Sequence, residues 1–367
     1  MARGVYVGRT FRVVMSLVVG LAVLAAAVWL VAGDRVVLAL AGRMAAQNMA
    51  ADRAAELPDG LHLAVCGAGG PMPDPLRSGP CQLVIAGRSV FMVDAGSMGA
   101  RNMVRMGIRP GGLTAILLTH FHSDHIDGLG EAMMLRWTGG PAKVPVPVYG
   151  PPGVERVVEG FDAAYALDAQ YRTAHHGPDV VPPGGAGGIA HAFVMPGPGE
   201  GTTVYEADGV KVTAFAVDHA PAAPAVGYRF DYGGRSLVLS GDTAPSANLE
   251  AFAEGADLLV HEALSPRLVA MLGEAAGAAG RGNLVHVMED IPGYHTAPTD
   301  AAAIAARAGV RRLVFVHVTP PLPNALLHGV FLDGVADIFD GPVDIARDGL
   351  LLSLPAGSDE ILSRHLL

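Results

Sequence analysis

Three things are scarce in this sequence of 367 residues. Cysteine is limited to Cys66 and Cys81, too few for a scaffold built on disulfides. Positive charge is outnumbered, with 25 Lys and Arg against 35 Asp and Glu and a formal net charge of -10. No long-range basic field is left to draw in a polyanion, so charge disfavours nucleic acid as a partner without closing off a local basic patch. Internal repeats are missing. What is present is apolar: 51% of residues are hydrophobic, enough for a sizeable core and against disorder.

The longest apolar run comes first. Arg3, Arg9 and Arg12 precede an uncharged stretch from Val13 to Gly33, which Asp34 and Arg35 end. At about 1.5 Å per residue such a helix spans a hydrocarbon core of about 30 Å. An uncleaved anchor is the first reading, because a secretory core is shorter and no clean cleavage site follows. A cleaved signal is the second, and a buried helix of the folded domain the third. The first two keep the arginines inside and place the rest of the chain outside the cytoplasm, periplasmic in a bacterium. The expected organisation is residues 1–12 as a cytoplasmic N-terminus, 13–33 as transmembrane anchor or signal, 34–58 as an Ala-rich stalk and 59–367 as the folded domain.

Within that domain, apolar strand-like runs such as LHLAVCGAGG, CQLVIAGRSVFMVDAG and TAILLTH alternate with helical patterns such as GLGEAMMLRW. TAPTDAAAIAARAG reads as a helix with Thr296 or Thr299 as N-cap and Gly309 as its stop. The Gly/Pro-rich stretch 182–201 reads as a flexible surface loop. An α+β fold of sheets covered by helices follows.

The chemistry concentrates in LLTHFHSDHIDGLG, which begins at Leu117. In an extended segment residues two apart point the same way, so His120 and His122 can present imidazoles to one point, and Asp124 and His125 to a neighbouring one after the turn. Imidazole nitrogens and carboxylate oxygens suit zinc at about 2.0 to 2.2 Å and about four donors per ion, so two pairs suggest two metals. The alternative is a surface turn with Asp124 as a helix cap. Further donors close apolar runs downstream: His219 in AFAVDHAP, Asp242 in LVLSGDTA and His317 in LVFVHVTPP. Singly His219 or His317 reads as a hydrogen-bonded histidine near the core; together with the first cluster all three residues read as ligands.

From CGAGGPMPDPLRSGP through VDAG, THFHSDH, SGDT, HEA, YHTAPTDAA and VFVH, the chain resembles the ribonuclease Z-like branch of the metallo-β-lactamase superfamily of metal-dependent hydrolases, over roughly Leu61 to Pro355. That resemblance implies a four-layer αββα sandwich with two zinc ions per chain, manganese being an alternative. It assigns His120, His122 and His219 to the first ion, Asp124, His125 and His317 to the second, and Asp242 as the bridge. It implies a metal-bridging hydroxide as nucleophile and His295 beside the metals as the acid that protonates the leaving group; Asp124 is counted with the catalytic residues. Asp94 is expected either to orient a ligand histidine or to be an ordinary turn carboxylate. His261 and Glu262 receive no role. His62, His175, His176, His191, His286, His328 and His365 are expected to be solvated or satisfied.

The chain departs from tRNA-processing members of that branch. Many of these carry a long basic arm between the counterparts of His219 and Asp242, and here the link is only long enough for two strands and a turn. The expected activity is therefore hydrolysis of a small phosphate- or sulfate-type ester, phosphodiesterase- or arylsulfatase-like, with tRNA 3′ processing by an endoribonuclease as the alternative. A membrane-anchored metal-binding module without activity is the second alternative, and a true β-lactamase is disfavoured by the SGDT segment. The expected partners are a small ester, the membrane and a second copy in a homodimer. Cys66 and Cys81 close opposite ends of one loop between strands expected to be neighbours, so in an oxidising compartment they are expected to pair.

Overall fold

The computed structural model describes residues 4–140 and 142–367, without the side chains of residues 4–10, 27, 28, 30, 31 and 48. Two compact units result, residues 1–51 and 52–367. The first is a single helix, Gly4–Ala50, whose Phe11, Leu17, Leu21 and Leu24 side chains are exposed. Among the described residues no helix is long and apolar enough to cross a membrane. The expected span is therefore not shown; the side chains of Ala27, Val28, Leu30 and Val31 inside it, like Arg3 and the Arg9 side chain before it, lie outside the described residues.

The second unit holds two sheets. Its chain runs through β1 (Gly60–Gly67), β2 (Cys81–Ala86), β3 (Ser89–Val93), β4 (Leu113–Leu117), β5 (Val146–Gly150) and β6 (Gly188–Ala192). It then forms β7 (Gly201–Ala207), β8 (Val210–Ala216), β9 (Val226–Tyr232), β10 (Arg235–Leu239), β11 (Leu258–Leu264), β12 (Arg312–Thr319) and β13 (Val343–Ile345). Finally β14 (Leu350–Pro355) and β15 (Leu362–His365) return to the first sheet, giving the order β15-β14-β1-β2-β3-β4-β5-β6 in one and β13-β12-β11-β10-β9-β8-β7 in the other.

Side-chain alternation then builds the layers. In β1, Leu61, Leu63 and Val65 face the core between the sheets with Phe91, Leu117, Tyr228 and Val260, while Ala64 and Cys66 face an outer core. That outer core holds Met103, Leu129 and Met133 from helices Gly99–Arg105 and Leu129–Thr138. On the far side of the second sheet, helices Ala247–Ala253, Pro298–Ala308 and Ala325–Phe331 cover Leu259, Leu313 and Phe315. The architecture is αββα, a mixed α+β sandwich.

Two local expectations are corrected. The stretch 182–201 is not all loop: Gly188–Ala192 pairs with β5 as the edge strand β6, and His191 stacks on Tyr149 at 4.8 Å. Neither threonine caps the helix Pro298–Ala308, whose cap position is Ala297 with Pro298 in the first turn. Thr296 is engaged elsewhere, its hydroxyl donating to Thr243 O and its backbone N–H to Glu262 Oε1. Gly309 does end that helix, at φ 64. His62 is satisfied between Pro58 O and the Ser353 hydroxyl.

Cys66 and Cys81 are disulfide-bonded across the start of the β1–β2 pair, at a separation of 15 residues. By the chain-entropy account, closing a loop of this size stabilises by about 3 kcal/mol. Replacing both cysteines with alanine is expected to lower the urea-unfolding free energy of the full chain by that order. Thiol titration of the unreduced, denatured wild type should find no free thiol; two free thiols would refute the pairing.

Candidate metal centre

The second unit's candidate ligands sit where strands end. β4 runs apolar through Leu117 and Leu118 and then delivers Thr119, His120 and His122; the short helix Ser123–Ile126 turns Asp124 and His125 back to the same edge. β8 leads to His219, β10 to Asp242, and β12 carries His317 near its own end. Donor atoms of His120, His122, His219 and Asp242 lie within 4.8 Å of one another, as do those of Asp124, His125 and His317, and those of Asp242, His295 and His317. Asp242 Oδ2 is 3.2 Å from both His125 Nε2 and His317 Nε2, and 3.9 Å from both His120 Nε2 and His219 Nε2.

Hydrogen bonds fix which ring nitrogen faces inward. His125 Nδ1 donates to Asp94 Oδ2 at 2.8 Å, and Asp94 also accepts from the Thr119 backbone N–H and hydroxyl. With the Thr119 proton so used, its oxygen accepts from His120 Nδ1 at 3.1 Å. His219 Nδ1 donates to Tyr294 O at 2.9 Å. Each ring therefore turns Nε2 to the interior, the arrangement that pre-orients metal-binding histidines. The backbone is held in unfavourable conformations here: Asp94 has φ 55 and His317 φ 47, left-handed values that non-glycine residues adopt at a cost. A side chain at Gly70 would place Cβ 2.9 Å from His317 Cε1, so the loop after β1 presses bare backbone onto that ring.

These residues fit a metal. His125 Nε2 is buried without a hydrogen-bond partner, and His317 Nε2 faces Asp242 and Asp124 at 3.2 and 3.3 Å. His120 Nε2 and His219 Nε2 approach His122 Nδ1 at 3.0 and 3.2 Å, nitrogens crowded against one another. Protons cannot relieve all of these contacts. Burial, then the neighbouring His125, holds His120 well below its ordinary value. Burial opposes the charge of His125 too, but Asp242 and Asp94 raise it well above its ordinary value. Burial disfavours a charged Asp242, yet the imidazoles of His317 and His125 hold it well below the usual carboxylate range; Asp124 is brought down to about 2 against burial by His317 and His125. Imidazoles and carboxylates converging in this way are the donor set of zinc, which manganese can share in part.

Glu262 and its neighbour His261 gained no role from the sequence. Glu262, buried in β11, accepts through Oε1 from His295 Nδ1 at 3.0 Å and from the backbone N–H groups of Thr243 and Thr296. Its only sequence signal was a charged residue within an apolar strand. The His295 ring lies 5.4 Å from that of His317 and 5.1 Å from that of His219, and Glu262 lifts its pKa to about 9 against the effect of burial. His261 beside it is fully buried, its Nδ1 donating to Glu262 O.

An αββα sandwich with histidines and aspartates gathered at one sheet edge defines a class of metal-dependent hydrolases, and the family match agrees: the model of the beta-lactamase superfamily domain matches residues 91–318. The chain belongs to that superfamily, among ribonuclease Z homologues. It is 39% identical to ribonuclease Z of Mycobacterium avium (strain 104) over 264 residues, which cover 71% of this chain and 87% of that protein. Among solved structures it shares its fold with human tRNase Z, short form (TM-score 0.57, 18% identity, 80% of this chain and 99% of that one). It also shares it with the metallo-beta-lactamase fold protein YhfI from Bacillus subtilis (TM-score 0.55, 21% identity, 81% of this chain and 100% of that one).

Two variants test the centre through metal content. Asp242→Ala is expected to lose both ions, whereas His317→Ala should retain one; full two-ion occupancy in the Asp242 variant would remove it from the bridge. Asp94→Asn should weaken metal affinity about 10- to 100-fold by releasing His125, read by competition against a chelator.

Proposed function

We propose that residues 52–367 hydrolyse phosphodiesters as a dinuclear-metal, ribonuclease Z-like enzyme. The observation that carries this is the shared Asp242 carboxylate between two imidazole sets, with the Glu262–His295 pair at their edge. Similarity to proteins named ribonuclease Z, over most of their length, favours a phosphodiester over the other esters and brings nucleic acid back as a substrate that charge alone disfavoured. His120, His122 and His219 would hold one ion, Asp124, His125 and His317 the other, with Asp242 shared. When bound, two divalent cations supply Lewis-acid charge to a phosphoryl oxygen and bring the pKa of a water toward neutrality.

The chain's own contribution is positioning and proton delivery. Asp94, Thr119 and the Tyr294 carbonyl hold three imidazoles in one tautomer. Glu262 holds the Nδ1 proton of His295, which leaves Nε2 to give a proton to the departing oxygen. A basic alkoxide needs that proton, whereas a nitrophenolate departs without it.

A second reading, hydrolysis of small phosphate or sulfate esters, is favoured by the link between His219 and Asp242, which holds only β9, β10 and the Gly233–Gly234 turn. The uncharged stretch Val13–Gly33 and the disulfide support placing this activity outside the cytoplasm behind a membrane anchor. Retention of the full chain in membranes after carbonate washing tests the anchor; complete release would refute it.

The substrate is tested with metal-loaded protein against a precursor tRNA with a 3′ trailer, aryl phosphodiesters, phosphomonoesters and sulfates. Cleavage of the first two supports the proposal, and activity confined to sulfates or monoesters overturns it. His295→Ala is expected to keep its metals and most activity on nitrophenyl esters while losing about 100-fold on alkyl esters. Equal losses on both would point to substrate positioning instead, and loss of metal would make His295 a ligand.

A further inference from the structure

Three candidate ligand rings are oriented by a hydrogen bond at Nδ1: Thr119 serves His120, Asp94 serves His125 and the Tyr294 carbonyl serves His219. His317 has no such bond among the described residues; its Nδ1 is buried without a partner, and its backbone sits at φ 47. What meets that edge of the ring is bare backbone. A methyl group at Gly70 would lie 2.9 Å from His317 Cε1, 3.1 Å from its Nδ1 and 2.8 Å from Thr319 Oγ1. Packing therefore takes the place of a hydrogen bond, and the ring is held only as firmly as the loop 68–80 that carries Gly70.

That loop is held in turn from the far end of the chain. Asp348, half-buried on the connection from β13 to β14, accepts from the Ala68 backbone N–H through Oδ1 at 3.1 Å and from the Ser78 backbone N–H through Oδ2 at 2.9 Å. One carboxylate thus grips both stems of the loop, which also bond each other through the Gly69 N–H and Ser78 O. Asn102 Nδ2 donates to the same Oδ2 at 2.9 Å and to Ser78 Oγ at 3.0 Å. From the outgoing stem, Arg77 Nε reaches Ala346 O on the same connection at 2.8 Å. The incoming stem runs beside β12, where Gly69 pairs with Val318 and Ala68 O accepts from the Val318 N–H. Gly79, on the outgoing stem, lies so near the Asp124 carbonyl that a methyl group there would be 3.2 Å from its oxygen. The loop therefore leans on His317 and Asp124, two candidate ligands of one ion. The matched superfamily residues end at 318, and Asp348 lies beyond them.

We infer that Asp348 is a positioning residue for that second ion: its carboxylate fixes the loop 68–80, and the loop fixes His317. The inference rests on the two-ion reading of the centre and adds to it how one ligand is held. A carboxylate is required because two backbone donors must meet two acceptor oxygens; an amide keeps one oxygen and turns its NH2 against the other N–H.

Metal binding, not turnover, is the readout. Apo full-length protein is titrated with zinc in competition with a chelator. Asp348→Asn is expected to weaken the ion that His317→Ala also loses, about 10- to 100-fold, and to leave the other within about 2-fold. In a His317→Ala background, where that ligand set is already broken, the same substitution should change zinc binding by less than about 2-fold, whereas a general loss of stability would persist. Gly70→Ala, with Asp348 intact, should weaken the same ion by pushing on the ring, and it keeps the inference testable if the Asp348 variant does not fold. Equal weakening of both ions by Asp348→Asn, survival of its effect without His317, or unchanged zinc binding in Gly70→Ala overturns the clamp. A wild type whose second ion depends on Asp348 but which cleaves no phosphodiester would keep the clamp and refute the hydrolase reading. Cleavage with zinc binding indifferent to Asp348 would do the reverse.

Discussion

The structure turns on one crowded oxygen. Asp242 Oδ2 is within 3.2 Å of two imidazole nitrogens and 3.9 Å of two more, and the residue is 3% exposed. Burying a carboxylate among imidazoles that other hydrogen bonds hold in one tautomer costs free energy unless cations occupy the space they surround. The fold accepts that cost at the ends of strands from both sheets, beyond the intersheet core that holds Leu117, Leu239 and Val316. Sheet packing thus sets the positions of these side chains, which crowd one another, so binding of a cation and the stability of this edge would be linked.

Rigidity reaches the centre through groups that never touch metal. Asp94 sits at the end of β3, bonds both Thr119 and His125, and so ties the third strand to the ligand-bearing turn after the fourth. Tyr294 O ties His219 to the segment that also carries His295, and Glu262 ties His295 to β11 and to Thr243 next to Asp242. A shift of that segment would therefore move His219 and His295 together. The left-handed backbone at Asp94 and His317 is tolerated because these bonds and the sheets over-determine it.

The legible parts of the sequence were those whose physics is local. The apolar run into His120 and the two-residue spacing to His122 show a strand end and a shared direction without knowledge of any partner, and His219, Asp242 and His317 repeat the pattern of a polar residue closing an apolar run. Glu262 was opaque because its meaning lies in a contact with His295, 33 positions away. Thr296 looked like a cap because capping propensity is local, but a distant carbonyl, Thr243 O, claimed its hydroxyl. The edge strand β6 was hidden by the glycines and prolines around it, since an edge strand needs little alternation when a single neighbour supplies its hydrogen bonds. The compact unit begins at Asp52 because Ala54 and Leu57 pack into the outer core, a burial their Ala-rich surroundings do not announce.

The candidate ligands lie at or just after strand ends, and two connections are tied to them. One side is the loop from Gly67 to Pro80, fixed at its base by the disulfide, by the pairing of Gly69 with Val318, and by Gly70 lying too close to His317 for any side chain. That loop therefore cannot move away without disturbing the packing around His317. The other side, the helical segment before Tyr294, is joined to the same centre through the Tyr294 carbonyl. Two connections are thus each anchored on a histidine of the candidate centre, so a sequence change that shifts either backbone is felt at that histidine.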